Sequence, residues 1–266
     1  MAQYIPCQHC GRFVNRIVTQ CPYCGDEPRG DRPADVEAAE APVTAPLPRY
    51  IPLGSVALFL QLLLGLFILA NAVALLSGIP YRSDLLAVAA GLEPGSAVNL
   101  AEGRYNTAFV LVTVAYVATA VAFLVWFWRA YTNLGFFGRS RSRSPGWAVG
   151  SWFIPFAGMI IPYGIGAEIW TQSRPEPGPV RERRDPNMEP IISWWALFLM
   201  MSLINVVESF ILEEGYDAAD LAAYVGVDMV GSIVAIAAAI AAIRFVRAAT
   251  ARQEKLWALS RSGIGD

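Results

Sequence analysis

Past Cys24 the sequence contains no cysteine, and its one histidine is His9. Everything after residue 24 therefore lacks the groups needed for a His-ligated haem, an HExxH metallopeptidase site or a Ser–His hydrolase. No GxxxxGK[ST] cradle for phosphates is present either. Charge is scarce: 16% of the residues are charged against 55% hydrophobic, and mean hydropathy is +0.43. That composition is too apolar for an ordinary soluble domain. Lysine is almost missing, with Lys255 standing alone among twenty basic residues, a usage that points to a GC-rich bacterial genome. The first residues, MAQYIPCQHC, lack the apolar run and cleavage site of a secretory signal. The N-terminal part is thus expected to stay in the cytoplasm.

What is present is a set of long apolar runs. A spanning helix needs roughly 20 apolar residues to cross about 30 Å of hydrocarbon. Residues 53–78, 105–128, 191–212 and 221–246 meet that standard. The expected fold is an all-α integral membrane helical bundle of four spans within a transmembrane domain at 51–246. A short helix around 83–90 is expected in the loop 79–104. Residues 26–50, rich in Pro, Ala and acidic side chains, read as a disordered linker, and 247–266 as a cytoplasmic tail.

A fifth apolar stretch, 147–170, carries Pro155 and Pro162, and each removes a helix hydrogen bond. Basic residues near span ends stay on the cytoplasmic side. If the stretch does not cross, 18 basic residues lie inside and 2 outside. If it crosses, the split is 9 and 11. Charge therefore favours a segment that enters and leaves on one face, with both termini cytoplasmic. Two forms fit: a re-entrant hairpin turning at Pro155 and Pro162, or a segment lying flat with Trp147, Trp152 and Trp170 at headgroup level.

Residues 1–25 hold Cys7-x-x-Cys10-Gly and Cys21-Pro-Tyr-Cys24-Gly. Two CxxC turns offer four thiolates, which suits tetrahedral zinc, and a reducing compartment favours metal over disulfides. A module this small cannot fold on its core alone, so structural Zn2+ is expected to stabilise it. Arg12 and Arg16 are its only basic residues, too few to neutralise several phosphates, which argues against a nucleic-acid partner.

Polar residues in the membrane part are few. Arg129 and Asn133 share one helix face and are candidate contacts for Glu168 or a lipid headgroup. Glu208 and Asp228 are carboxylates inside spans, where charge is costly and normally faces protein or water. They are candidates for one polar pocket toward the outer side. Small residues four apart, such as Ala235 and Ala239, permit close helix contact within a bundle or between copies in a homo-oligomer.

The segments FWRAYTNLG, SPGWAVGSWFIPFAGMIIP and EIWTQS resemble an uncharacterised family of bacterial membrane proteins, domain of unknown function 4328, some members of which carry an N-terminal zinc ribbon. The resemblance implies the architecture above and brings no assigned activity. The sequence therefore predicts a non-enzymatic, multi-pass protein of the bacterial cytoplasmic membrane, in contact with the lipid bilayer, whose zinc ribbon recruits or senses a protein partner. The alternative is a small transporter or channel using the re-entrant segment and the intramembrane carboxylates.

Overall fold

The computed structural model describes residues 4–9, 12–15, 20–21, 23–25, 49–93, 96–175, 187–211 and 217–262. It divides into two compact units, Met1–Leu47 and Pro48–Asp266. In the first, β1 (Tyr4–Pro6) pairs antiparallel with β2 (Phe13–Asn15), with Ile5 opposite Val14. Cys10 and residues 26–48 of the expected linker lie outside the described residues.

The second unit is helical. Four of its helices, α1 (Gly54–Ala89), α2 (Ser96–Phe136), α5 (Glu189–Ile211) and α6 (Ala218–Ser262), are long and apolar enough to cross a membrane. Between α2 and α5 lie α3 (Trp147–Gly150), a single 3₁₀ turn (Ser151–Phe153) and α4 (Ala157–Gln172). The chain is an all-α, multi-pass membrane bundle. Its exposed leucines at 58, 62, 66 and 69 on α1 and valines at 110, 114, 117 and 121 on α2 are lipid-facing surface in that setting, where no hydrophobic force drives helices together.

Helix α1 packs along both α2 and α6, and α5 packs along α6. Close approach of α6 uses its small residues: Ala235, Ala239 and Ala242 are buried in the core with Leu60, Leu64 and Phe67 of α1. The stripe that could have joined two copies is therefore spent inside the bundle. With this packing, α2 and α5 flank a gap beside the α1–α6 pair.

Two helix limits and one buried residue differ from the sequence expectation. The helix expected at 83–90 is the continuation of α1, which runs through Pro80 to Ala89. One lost hydrogen bond is outweighed there by packing of Tyr81 and Leu85 against Tyr105, Ala222 and Val225. The tail expected at 247–266 is helical as far as Ser262. Tyr50, placed by composition in the disordered linker, is buried instead, stacked on Trp257 at 4.7 Å and flanked by Phe136 and Phe137. Its burial, helped by the Glu254 carboxylate, pushes the phenol up to about 12. Apolar runs mark the hydrocarbon, while helices continue wherever tertiary contacts reward them.

Glycines close α1 and α2. Gly91 (φ 85) and Gly138 (φ 65) take the left-handed conformation that lets Leu92 N–H reach Ala87 O and Arg139 N–H reach Leu134 O, satisfying terminal carbonyls.

Candidate functional site

In the N-terminal unit the sulfurs of Cys7, Cys21 and Cys24 lie within 4.8 Å of one another, and Cys7 Sγ is 3.7 Å from Cys24 Sγ. Zinc–sulfur bonds of about 2.3 Å in a tetrahedron set neighbouring sulfurs about 3.8 Å apart, so the three thiols fit a zinc-sized ion. Burial pushes the Cys21 thiol up, but hydrogen bonds from the backbone N–H groups of Tyr23 and Cys24 and the neighbouring thiols bring it down to about 7. That is the direction a thiolate ligand requires. Phe13 is 56% exposed, and Arg12 stacks over the Tyr23 ring at 4.9 Å.

In the bundle, Asn133 is fully buried. Its amide exchanges two bonds with the backbone just before α1, accepting from Ile51 N–H at 2.9 Å and donating to Ile51 O at 2.9 Å. It also donates to Gln253 Oε1 at 3.1 Å. Gln253, equally buried, donates to Ala130 O and to Ser173 Oγ. One turn back on α6, Thr250 accepts from Trp126 Nε1 at 3.0 Å. This knot joins the chain before α1 to α2, α4 and α6. Low dielectric makes such a network strong when satisfied and costly when broken.

Glu168 is held elsewhere. Its carboxylate accepts from Tyr131 Oη and from Ser142 N–H, both at 3.0 Å. Arg129 is half-buried and bonds neither Asn133 nor Glu168, so of the two contacts offered for Arg129 and Asn133, Glu168 or a lipid headgroup, the one with Glu168 is not made. Tyr131 takes the expected place, and nothing in the sequence distinguishes it. The consequence is geometric: Ser142, ahead of α3, is tied to the last turn of α4, and Arg139 Nη2 donates to Arg174 O at 3.4 Å. Both ends of the Pro-rich stretch lie together.

Between those ends the chain makes a helical hairpin. Pro155 sits in the turn, beside Phe156 at φ 60, a strained value for a bulky residue. Pro162 does not share that turn; it lies inside α4 and is buried. The turn is completed before it because Gly158 lets α4 approach the 3₁₀ segment: a Cβ there would meet Ser151 O at 3.2 Å. Trp152 faces inward, edge-on to Phe123, Phe127, Trp195 and Phe198. Outward, the tip exposes Phe153 (74%), Phe156 (80%) and Ile160 (72%). The hairpin thus fills one half of the α2–α5 gap.

The other half is open. A cavity of about 470 Å3 is lined by all four long helices, including Asn71 of α1, Tyr105 of α2, Glu208 of α5 and Asp228 and Ser232 of α6. Tyr105 Oη donates to Asp228 Oδ2 at 2.8 Å. Glu208 Oε1 lies over Gly231, 3.3 Å from where a Cβ would be, so the two carboxylates meet one helical turn apart on the same wall. The sequence offered Glu208 and Asp228 as candidates for one pocket, and both line this cavity; it did not single out Tyr105, Ser232 or Asn71. Only Asn71, an amide amid an apolar run, offered a signal.

These features define a four-span membrane protein with a Pro-broken helical hairpin seated between its second and third long helices. The sequence profile of the family described as Domain of unknown function (DUF4328) matches residues 89–251, and the chain belongs to that family. The match runs from α2 into α6 as far as residue 251 and includes the hairpin, Glu168 and both cavity carboxylates. No curated protein and no solved structure is significantly similar to the chain.

Proposed function

We propose that the chain is a solute-binding protein of the bacterial cytoplasmic membrane, of small-transporter type, in which the α2–α5 gap is the pathway. The observation that carries this is the gap itself: two carboxylates at one half, lined by all four spans, and an aromatic plug at the other. The hairpin enters the membrane from the cytoplasmic face and does not cross it. Three findings support that. Its ends are tied together through Glu168. Its tip is apolar and outward-facing. Trp152 reaches Phe123 and Phe198, one to two turns inside the apolar runs, or roughly 10 Å at 1.5 Å per residue. Lying flat with its tryptophans at headgroup level fits less well, because Trp170 is buried under Arg252 at 3.6 Å.

In this topology Ser142→Cys and Asn187→Cys should react with an impermeant thiol reagent from the cytoplasmic face alone, and Ala219→Cys from the opposite face alone. Reaction of the first two from opposite faces would make the hairpin a span and invert everything after it. Binding is tested at the cavity: Ser232→Cys should be labelled from the face opposite the ribbon. A residue 232 thiol inert from both faces would mean lipid or packed protein fills the gap, and the transport-type reading would fail.

The N-terminal unit favours a second role. With a structural zinc behind it, exposed Phe13 beside Arg12 and Tyr23 offers an aromatic and basic contact of the kind that protein partners bury. The ribbon is a cytoplasmic interaction or regulatory module. Deleting it should abolish capture of a partner while leaving labelling of Ser232→Cys unchanged.

A further inference from the structure

We propose that the cavity receives a primary ammonium group carried on an apolar body; this rests on reading the gap as a binding site. The carboxylates give the charge: Asp228 and Glu208 share one wall, and among the described residues no basic side chain lines the cavity. The only internal donor to Asp228 among the described residues is the Tyr105 hydroxyl, which leaves the second oxygen, Oδ1, and both Glu208 oxygens for a ligand. Two neutral side chains point independently to the same chemistry. Ser232 is 5% exposed, lines the cavity and makes no hydrogen bond among the described residues. Asn71, as deeply buried, spends one of its two Nδ2–H groups on Phe67 O at 2.8 Å, which leaves its Oδ1 as an acceptor beside the second N–H. What little of each side chain is accessible opens onto the cavity, where a ligand can bond it.

The wall therefore joins two carboxylates to further acceptor oxygens with no basic side chain beside them among the described residues. Its natural complement is a cation with several N–H groups, and a primary ammonium has three. The rest of the lining is mostly apolar and aromatic, with Phe67 and Tyr116 at 6.0 Å between ring centres. They match an apolar body and can face a cation with their rings. Size agrees: about 470 Å3 is within the range of organic-ligand pockets, roughly 300–1,000 Å3. A bare divalent ion wants a close shell of six or more oxygens and would leave the aromatic wall unused. The same ammonium chemistry can come from a free amine or from an ethanolamine lipid headgroup.

The test uses the full-length chain carrying Ser232→Cys, reconstituted in phosphatidylcholine vesicles, with the adduct of an impermeant maleimide located by peptide mass. The probe is phenethylammonium, and its neutral counterpart of similar size is 2-phenylethanol. Phenethylammonium should slow labelling about tenfold at concentrations where 2-phenylethanol has no effect, and Asp228→Asn or Glu208→Gln should remove that protection, about tenfold being what 1.4 kcal/mol of lost pairing gives. Protection without added amine in phosphatidylethanolamine vesicles would assign the lipid as the source, and protection only on adding the probe would assign a free amine. Equal protection by the alcohol, or none by either compound at a cysteine that labels, would overturn the ammonium assignment and leave the binding site standing. A cysteine that never labels would overturn both. The alcohol comparison needs no carboxylate variant, so the outcome does not depend on whether those variants fold.

Discussion

Asn133→Ala should destabilise the bundle by about 3 kcal/mol, the sum expected when three bonded partners lose it at roughly 1 kcal/mol each. The partners are specific: Ile51 N–H, Ile51 O and Gln253 Oε1. The alanine side chain cannot bond any of them, and at a fully buried position water cannot take its place. Hydrogen bonds between membrane helices average nearer 0.6 kcal/mol because the separated helices find other partners. Here, however, two of the three groups belong to a segment ahead of α1, outside any helix, with no internal bond to fall back on. Unfolding in detergent, by heat or by titrated denaturant, measures the loss. Arg129→Ala, one turn away on the same helix and outside the network, should change stability by no more than about 0.5 kcal/mol. Equal losses for the two variants would show that the knot contributes nothing beyond ordinary packing.

Removing zinc should have the second large effect, confined to the N-terminal unit. Purified full-length chain is expected to carry one zinc, held by Cys7, Cys21 and Cys24, whose sulfurs already stand at ligand spacing, and by Cys10 of the first CxxC pair. Structural zinc sites contribute about 10–16 kcal/mol of apparent binding energy, far more than a two-stranded hairpin with Val14 in its core can provide. A strong chelator should expose all four thiols to reagent together and disorder the residues around them. Cys21→Ser should release its metal at chelator concentrations that the native chain withstands. Metal content by elemental analysis and thiol counting check this. A Cys21→Ser chain that keeps zinc as tightly as the native one would exclude the site.

The four crossing helices were legible because hydrocarbon thickness sets a length that composition reveals, and the cysteine pattern because zinc geometry dictates spacing. Less was legible wherever a contact joins distant parts of the chain. Gln253 sits in a polar stretch of α6 that hydropathy assigns to a tail, yet it bonds Asn133 and Ser173 more than 75 residues away. Pro162 and Pro155 look alike as helix breakers. Their fates differ because Gly158 permits the turn to close at Phe156 and lets α4 run on through Pro162. Arg129 was one candidate partner for Glu168 by charge, but the structure pairs Glu168 with the uncharged Tyr131, which charge-based reasoning passes over. Glu208 and Asp228 could be singled out because both are conspicuous in apolar runs, and both line the same cavity. Ser232 and Tyr105 are ordinary in such runs until the fold turns them to one side.

The hairpin between α2 and α5 also fixes an order of assembly. Synthesis delivers α2, then α3 and α4, before any of α5 exists. Trp194, Trp195 and Phe198, the wall against which Trp152 packs, arrive only with α5. Until then Trp152 has half a slot, Phe123 and Phe127 of α2, and on the topology proposed above the newborn hairpin would wait at the membrane surface while the later helices insert. Docking of residues 147–172 is thus a late, post-insertion event, and a nascent chain halted before Glu189 should leave that segment open to protease although α1 and α2 are already paired.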